Sequence, residues 1–427
     1  MPAARCVAAS SPTRDVPVPG AVVLRVTTRV TEPVVGLEVV VDVGPVAHGG
    51  HHVARHDGRV IFVRHAIAGE RVRVRITEGH SESRFLRADA IEVLAASPDR
   101  VEALCPHAGP GLCGGCDFQH IALPRQRSML AAVVSEQLQR LAGISWEGEV
   151  EPVPGDADGL GWRTRVRFAA TTDRRPGLHR HRSDGILPID RCLIADSRLP
   201  DVSSALLAGA DEAQAVVTST GERVVVTSPA DAPLVTETVS GLQFQVHAGD
   251  FWQVHPGAAE ALTTAVLAGL APQPGERCWD LYAGAGLFAA VLAAAVGESG
   301  AVVAVESHRR SAAALGANVA DRPQVRSVAQ PVETFVRSRA AQGRLDLVVL
   351  DPPQSGARKA VVSGIARQRP RAVAYVACDP AALARDLATF AAHGYRLDSL
   401  RAFALFPMTH HVECVAICVP RHPDSSE

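Results

Sequence analysis

Short apolar runs alternate with helix-like segments through the C-terminal part of the sequence, and this alternation limits the possible folds more than any other feature. Apolar runs lie at residues 301–305, 347–350 and 372–377, and helix-like segments follow at residues 308–318 and 381–387. Repeated strand–helix units predict a doubly wound, largely parallel sheet, an α/β fold. Ligands of such sheets bind at the carboxyl ends of the strands, so the residues that follow each run are candidates for a functional site.

Length, cysteine count and charge restrict the class of protein. A chain of 427 residues corresponds to about three domains. We find no apolar run of about 20 residues and no signal-peptide core in the first thirty, and we therefore expect a soluble, cytoplasmic monomer that binds no membrane. Nine cysteines, an odd number, indicate metal or catalytic thiols rather than a disulfide framework. With a net charge of −2, any nucleic-acid site must be a local basic patch.

Changes in pattern divide the chain into four predicted segments. Residues 1–34 mix Ser, Pro, Arg and Asp and are expected to form a flexible extension, whereas residues 35–97 hold short β-rich runs typical of a small β-barrel. Residues 98–244 combine a cysteine-bearing loop, an α+β region and a helix over residues 124–142, which is a candidate to pack on the C-terminal domain. Residues 245–427 hold the strand–helix alternation.

Cys378 stands directly after the apolar run of residues 372–377 and before a helix-like segment. A thiol at a helix N-terminus can have a lowered pKa and act as a thiolate nucleophile, whereas a buried structural cysteine is the alternative. Glu413 lies 35 positions later, and a second strand-end acid near the thiol could serve as a general base. Taken alone, Glu413 is better explained as a surface acid, and His410 and His411 are better explained as packing histidines than as ligands.

The segment from Asp280 to Gly286 predicts a strand, a tight glycine turn and the start of a helix. Glycines let the backbone approach a ligand closely, although the spacing here falls short of G-x-G-x-x-G. Glu306 follows the next strand, where an acid suits the hydroxyls of a ribose, and a solvated loop acid is the alternative. Asp351, which two prolines follow, is a third acidic strand end. Together these features favour an adenosine-type cofactor.

Four cysteines form a candidate metal site: Cys105, Cys113, Cys116 and Cys192. The first three have the spacing C-x7-C-x2-C in a loop rich in Gly and Pro, which argues against unrelated thiols. Such a set could bind a structural zinc ion or a [4Fe–4S] cluster, and the spacing alone favours zinc.

Residues 161–182 hold seven arginines and one acid. Arg163, Arg165 and Arg167 alternate with other residues, so a strand would place them on one face, with apolar side chains on the opposite, buried face. Such a stripe can contact RNA phosphates without reading the sequence. An ordinary solvated strand face is the alternative.

In combination, these motifs resemble those of the bacterial RNA uracil-C5-methyltransferases that carry an N-terminal TRAM domain and an iron–sulfur cluster. The resemblance extends over about residues 35–420. It rests on Cys-x7-Cys-Gly-Gly-Cys, Phe-Trp-Gln-Val at 251–254, the turn after Asp280, Asp-Pro-Pro at 351–353, Cys-Asp-Pro at 378–380, Ala-Arg-Asp at 384–386 and the segment 406–413.

The resemblance implies a class I, Rossmann-like methyltransferase domain at residues 245–427, a TRAM-like RNA-binding barrel at 35–97 and a central iron–sulfur and RNA-binding domain at 98–244. It implies that S-adenosylmethionine contacts Gln253, Tyr282, Glu306 and Asp351. Cys378 would be the nucleophile and Glu413 the base. The cysteine set would bind a [4Fe–4S] cluster instead of zinc. The expected partner is RNA, with ribosomal RNA favoured and tRNA as the second candidate.

Several positions depart from the usual pattern of that family. Leu287 and Pro331 stand where polar residues are common, and they bear on the cofactor contacts. His255, Gln354 and Ala404 stand in place of a usual Asn, Arg and Asp, and the last two bear on efficiency or substrate identity. Neither the expected nucleophile nor the expected base is changed.

The chemistry follows from the substrate, because uracil C5 is too weak a carbon nucleophile to accept a methyl group unaided. Addition of the Cys378 thiolate at C6 makes C5 nucleophilic, and a base must then remove the C5 proton before the thiolate leaves. A base inside folded RNA must also be extruded to be reached. Two alternatives remain at this point: an RNA cytosine-C5-methyltransferase, and a catalytically inactive iron–sulfur protein that binds RNA. The Cys-Asp-Pro context and Glu413 favour an active uracil enzyme.

Overall fold

The computed structural model describes residues 34–421, in which a closed β-barrel, a mixed central region and an eight-stranded sheet follow one another along the chain. Residues 1–33 and 422–427 lie outside the described residues, and with them the predicted N-terminal extension apart from Val34. Among the described residues, no helix is both long enough and apolar enough to span a membrane.

Five strands form the barrel, and they confirm the β-barrel predicted from the sequence: β1 (Glu38–Val46), β2 (His52–His56), β3 (Arg59–Arg64), β4 (Arg71–Glu78) and β5 (Phe85–Ala95). The barrel closes in the order β1-β2-β3-β5-β4. Strand β4 alternates strictly: Val72, Val74 and Ile76 are at most 1% exposed, while the arginines between them face solvent or the barrel rim. Arg73 on this outer face pairs with Glu92 at 2.8 Å.

A long helix, α1 (Leu123–Ala142), follows the cysteine-bearing loop and confirms the helix predicted for residues 124–142. Val134 and Leu138, four residues apart, are fully buried on its inner face. Gly143 ends the helix in the left-handed conformation, φ 66°, which glycine adopts without strain. The helix packs on the C-terminal domain.

The central region holds a five-stranded sheet and a hairpin. Its elements are β6 (Val150–Pro152), β7 (Arg165–Ala170), β8 (Pro176–His179), β9 (Ile186–Pro188), α2 (Ser204–Leu207), β10 (Glu212–Val217), β11 (Arg223–Val226), β12 (Leu234–Val239) and β13 (Leu242–His247). The sheet order is β11-β10-β7-β8-β9, and β12 pairs with β13.

The arginine stripe is not one exposed strand face, so that prediction is wrong for Arg165. This residue begins β7, is 5% exposed, and donates from Nη2 to Glu237 Oε1 at 2.6 Å. The physical reason is the β12–β13 hairpin, because it brings Glu237 over this face and neutralises the guanidinium. Arg167 is exposed as expected, and Arg163 lies before the strand in a bridge with Ala195.

The C-terminal domain alternates strands and helices: α3 (Ala258–Leu270), β14 (Arg277–Leu281), α4 (Leu287–Val296), β15 (Ala301–Glu306), α5 (Arg309–Asn318), β16 (Val325–Ala329), α6 (Val332–Phe335), β17 (Leu347–Leu350), α7 (Arg358–Gln368), β18 (Ala372–Ala377), α8 (Pro380–Ala392), β19 (Tyr395–Ala404) and β20 (Glu413–Pro420). The sheet order is β16-β15-β14-β17-β18-β20-β19-β6. Strands β14 to β18 are parallel, and β20 enters antiparallel between β18 and β19.

Two apolar layers lie on the two faces of this sheet. Every residue of β17 and β18 is buried, as expected for parallel strands that helices cover on both sides. Helix α1 joins one layer by packing against α8, and β6 extends the sheet by pairing with β19. The segment from α1 to β6 is therefore built into the C-terminal domain, although it precedes that domain in sequence.

Candidate active site

The carboxyl ends of β14, β15, β17 and β18 open into a cavity of about 1250 Å³. All six residues that the sequence predicted for cofactor binding and catalysis line this cavity: Gln253, Tyr282, Glu306, Asp351, Cys378 and Glu413. The structure thus brings together side chains that lie up to 160 positions apart in sequence (413 − 253 = 160).

The glycine turn after β14 forms one wall of the cavity. Tyr282, Gly284 and Gly286 all have left-handed backbone conformations, with φ of 64°, 55° and 96°. A Cβ atom at Gly286 would lie 2.7 Å from Leu315 Cδ1, so only glycine fits there. The backbone of this turn can therefore lie close to a ligand in the cavity.

Glu306, at the end of β15, is held at the edge of the cavity by two backbone donors. Its carboxylate accepts from Gly284 N at 2.9 Å and from His308 N at 2.6 Å. These bonds fix the side chain and leave it next to the glycine turn, where an acid can accept hydrogen bonds from ribose hydroxyls.

Asp280 is a buried acid behind the turn that the sequence analysis did not assign to the site. It is 0% exposed, and its Oδ2 accepts from Ala289 N at 2.7 Å, while Oδ1 has no partner among the described residues. Burial, together with the charges of Asp351 and Glu306, raises the pKa of Asp280 to about 8. The cavity thus concentrates acidic groups, which favours a positively charged ligand.

Cys378 lies in the cavity directly after β18, but the expectation of a lowered pKa is wrong. Burial raises the pKa of this thiol to about 12, and the charges of Glu413, Asp351 and Asp379 raise it as well. Burial and three surrounding carboxylates together outweigh the favourable position at the N-terminus of α8.

Asp379, the next residue, connects the catalytic cavity with the barrel. Its Oδ1 accepts from Ala382 N at 2.7 Å and so caps α8. Its Oδ2 lies 2.9 Å from Nε2 of His48, which belongs to the loop after β1. The barrel therefore contacts the chain one residue away from Cys378.

Glu413 is the first residue of β20 and is 4% exposed, so it is not a surface acid. Because β20 runs antiparallel to β18, with Cys414 opposite Ala377, the start of β20 lies beside the end of β18 and Glu413 beside Cys378. Burial and the charge of Asp351 raise the pKa of Glu413 well above its usual value.

His410 and His411 line the same cavity, with their ring centroids 4.2 Å apart. Burial lowers the pKa of His411 to about 4, so this ring is neutral. His410 Nδ1 lies 2.6 Å from Oδ2 of Asp117, a residue that the sequence analysis missed. Its position directly after Cys116 was the only signal in the sequence.

The four predicted metal ligands Cys105, Cys113, Cys116 and Cys192 line a second, adjacent cavity of about 310 Å³. Two of their sulfurs accept hydrogen bonds, Cys113 Sγ from Gly115 N at 3.4 Å and Cys116 Sγ from Gln119 Nε2 at 3.6 Å. Within residues 34–421, however, no group of three or more His, Cys, Asp or Glu side chains is arranged to hold a metal ion.

Two of the departures noted in the sequence lie at the cavity. Leu287 and Gln354 both line it, so they stand where they can contact a cofactor or a substrate. Pro331 precedes α6 and does not line the cavity, although the following residues Val332 and Glu333 do. Ala404 ends β19 and is 8% exposed.

The strand order, the glycine turn, the acid at the end of β15 and the acidic cavity define a class I methyltransferase domain. Residues 34–91 match the family model of the TRAM domain, and residues 268–419 match that of tRNA (uracil-5-)-methyltransferase. The chain therefore belongs to the TRAM-domain RNA uracil-C5-methyltransferases, enzymes that use S-adenosylmethionine, as the resemblance predicted.

Relatives cover nearly the whole chain. It is 46% identical over 436 residues to an uncharacterized RNA methyltransferase of Streptomyces coelicolor, an alignment that covers 92% of this chain and 95% of that protein. It is 29% identical over 432 residues to the 23S rRNA (uracil(1939)-C(5))-methyltransferase RlmD of Shewanella sp., with 87% and 93% covered.

Among solved structures, the Pyrococcus abyssi tRNA (uracil-54, C5)-methyltransferase in complex with S-adenosyl-L-homocysteine has the same fold. Its TM-score is 0.65 at 20% sequence identity, and the match covers 90% of this chain and 100% of that one.

Proposed function

We propose that the protein forms 5-methyluridine in RNA through a covalent adduct between Cys378 and uracil C6, with Glu413 removing the C5 proton. The observation that carries this proposal is the single cavity that holds the thiol, the buried acid and the residues predicted to contact the cofactor. Family membership favours uracil over the cytosine alternative. The intact pair of Cys378 and Glu413 disfavours an inactive binding protein.

Burial and the acidic surroundings of the cavity raise the pKa of both catalytic groups. S-adenosylmethionine supplies a methyl group on a positively charged sulfur. A positive charge in this acidic cavity would favour the ionised forms of Cys378 and Glu413. The Cys378 thiolate adds to C6, C5 takes the methyl group, and Glu413 accepts the C5 proton before the thiolate is eliminated.

Trapping experiments test the two roles separately. A Cys378→Ala variant should bind RNA and cofactor but form no covalent adduct. A Glu413→Gln variant should attack and methylate but stall before elimination, so that RNA stays attached as a denaturant-resistant shifted band. RNA with 5-fluorouridine should trap the wild type in the same way, because fluorine cannot leave as a cation.

A buried cysteine outside the cavity provides the matched control. Cys278, in β14, is 1% exposed, and its variant Cys278→Ala should form the 5-fluorouridine adduct like the wild type. An adduct that persists in Cys378→Ala would remove the nucleophile assignment. An adduct on cytidine would remove the uracil assignment and keep the cysteine mechanism.

We propose ribosomal RNA as the substrate. The support is the full-length similarity to the Shewanella 23S rRNA enzyme. Mass-spectrometric mapping of RNA from a deletion strain should show one ribosomal 5-methyluridine lost and the tRNA nucleosides unchanged. A loss confined to tRNA would overturn the choice of substrate. A cytoplasmic location and a monomeric state stay predictions from the sequence.

We also propose that the four cysteines bind a [4Fe–4S] cluster. The donor set fits: four thiols line one cavity, and two of their sulfurs accept N–H bonds of the kind that tune such clusters. Protein purified without oxygen should be brown and contain about four iron atoms per chain. Zinc in place of iron would overturn the proposal.

The revised basic surface consists of Arg163 and Arg167, which line both the catalytic cavity and the cysteine cavity. Arg163 has no acidic partner among the described residues, and Arg167 has only an exposed pair with Glu212 at 3.7 Å. We propose that RNA phosphates pass over these two guanidinium groups on the way into the catalytic cavity.

A further inference from the structure

The loop that leads into Glu413 is held by the cysteine-bearing loop rather than by the strands that it connects. This loop, residues 405–412, joins β19 to β20 and is called the catalytic loop below. Met408 in it has a left-handed backbone with φ 68°. The carbonyl of Met408 accepts from Asp117 N at 2.8 Å and from Phe118 N at 3.0 Å. Its N–H donates to Gln126 Oε1 of α1 at 3.0 Å. The left-handed turn is thus fixed by partners that lie about 290 positions earlier in the chain (408 − 117 = 291).

The carboxylate of Asp117 contacts both the catalytic loop and the barrel. Its Oδ2 accepts from the backbone N of His410 at 3.2 Å and lies 2.6 Å from Nδ1 of the same residue. Its Oδ1 accepts from Nη2 of Arg64, at the end of barrel strand β3, at 3.2 Å. The Asp117 and Arg64 side chains are 11% and 5% exposed, so little solvent competes for these bonds. One carboxylate therefore ties the barrel, the cysteine loop and the catalytic loop together.

Contacts with the barrel and with His411 also restrict His410. Gly50 of the barrel approaches it so closely that a Cβ at Gly50 would lie 2.6 Å from His410 Cβ. The ring of His411 stacks against His410, and Phe406 meets His411 edge to face at 5.9 Å. The backbone from His410 to Glu413 is only three residues long, so the place of His410 constrains the place of the Glu413 carboxyl.

We propose that Asp117 is a positioning residue for proton removal: it acts through His410 to hold Glu413 where the C5 proton of the bound uracil will lie. The inference rests on the proposed role of Glu413 as the base. It assigns to the residue after Cys116 a task in catalysis that does not depend on which metal group the cysteines bind.

Asp117→Asn is the informative substitution because the amide has nearly the same shape but cannot satisfy both neighbours. Arg64 and the backbone N of His410 are donors, so one of them must face the new NH₂ group. Asp196→Asn is the matched control. Asp196 is similarly buried at 8% exposure, pairs with Arg198 at 2.6 Å, and lies four residues after Cys192, but it does not contact the catalytic loop.

His410→Gln tests the same contact from the opposite side without altering the cysteine loop, since the longer amide cannot occupy the place of Nδ1. For both Asp117→Asn and His410→Gln we expect kcat to fall about ten- to a hundredfold, as for a misplacement near 1 Å. The KM for RNA and for the cofactor should stay within about twofold, because neither variant removes a predicted binding contact. The double variant should lose no more than the stronger single variant, because both remove one contact.

Two further measurements distinguish a loss of Glu413 positioning from a general loss of protein structure. In both variants the denaturant-resistant RNA adduct should accumulate above the wild-type level, as in Glu413→Gln, because proton removal is the slowed step. Hydrogen exchange should rise in residues 408–413 and stay unchanged in β14 and β15. Asp196→Asn should show neither effect, and the iron content of all variants should be compared with that of the wild type.

The results that would contradict the positioning role of Asp117 differ from those that would contradict the proposed function. If Glu413→Gln accumulates the adduct and both positioning variants turn over like the wild type, the positioning role is wrong and the catalytic roles stand. A fall in kcat without adduct accumulation also overturns it. If Glu413→Gln itself accumulates no adduct, the role of Glu413 in the proposed function is wrong, and the positioning role has no basis.

Discussion

At the scale of single residues, the protonation of Cys378 is the property most sensitive to its surroundings. A thiol pKa of about 12 means that the thiol keeps its proton far above neutral pH, whereas an ordinary cysteine ionises near pH 8.5. Alkylation of Cys378 by iodoacetamide in the ligand-free protein should therefore be slow at pH 7 and should keep rising above pH 9. Peptide mass spectrometry would follow this cysteine alone.

Glu413→Gln should speed this alkylation at pH 8, because it removes a negative charge that raises the pKa of the thiol. Glu333→Gln is the control: Glu333 lines the same cavity but does not shift the thiol. Equal rates in the wild type and in Glu413→Gln would contradict the proposed electrostatic coupling.

Arg165 is the second residue whose role depends on burial. Its ion pair with Glu237 has both side chains 4% exposed, so removing one partner leaves an uncompensated buried charge. Arg165→Ala should lower the free energy of unfolding by about 3–5 kcal/mol, measured by chemical denaturation. Adding Glu237→Ala should restore part of this loss. Arg167→Ala, at an exposed pair, should change stability by less than about 1 kcal/mol; a similar loss in both variants would be evidence against the buried pair.

At the scale of elements, the loop between β1 and β2 fits against the catalytic loop. Gly50 has φ 78° and lies against His410, whereas Gly58, in the β2–β3 turn, has φ 75° and no atom within 4 Å of an added Cβ. Both alanine variants should lose about 1–2 kcal/mol of stability from the left-handed backbone alone. Gly50→Ala should lose more and should also lower methylation, because its Cβ pushes His410 aside.

Thermal unfolding and an RNA methylation assay would compare these two variants directly. Equal activity in Gly50→Ala and Gly58→Ala would show that the barrel can shift without disturbing the catalytic loop. That result would also weaken the proposed link between the barrel and Glu413.

At the scale of the whole molecule, a net charge of −2 gives no general attraction to RNA, so binding must depend on local arginines. Replacing Arg163 and Arg167 with alanine should weaken RNA binding and reduce the slope of log K against log salt by about 1.4, since each single-strand phosphate contact contributes about 0.7. Calorimetry should show unchanged cofactor binding. Arg339 and Arg367, two exposed arginines outside both cavities, are the control pair, and an equal slope in both double variants would rule out the basic surface.

The sequence by itself predicted most of the elements of the C-terminal domain and six residues that line one cavity. The runs at residues 347–350 and 372–377 became strands with the predicted bounds, because a parallel strand covered on both faces needs a continuous apolar run. The helix over residues 287–296 was equally predictable after the glycine turn. Five of the six residues assigned to cofactor and catalysis end, follow or begin strands of the large sheet, so the strand–helix pattern was enough to bring these five to one edge of it. Gln253 lies outside that pattern, in the segment between β13 and α3.

Only the tertiary structure decided which charged side chains lie close enough to interact. The alternation of arginines with other residues predicted an exposed Arg165. The β12–β13 hairpin, which carries Glu237 72 positions later, covers this side chain instead. The pKa of Cys378 is raised by acids from three different segments, and Asp117 reaches His410 across 293 positions. The period of apolar residues in the sequence indicates which face of a helix or strand is buried, because side chains return to the same face at a spacing that the backbone geometry sets. Ion pairs and pKa values depend on distances between particular side chains, which exist only after the chain has folded.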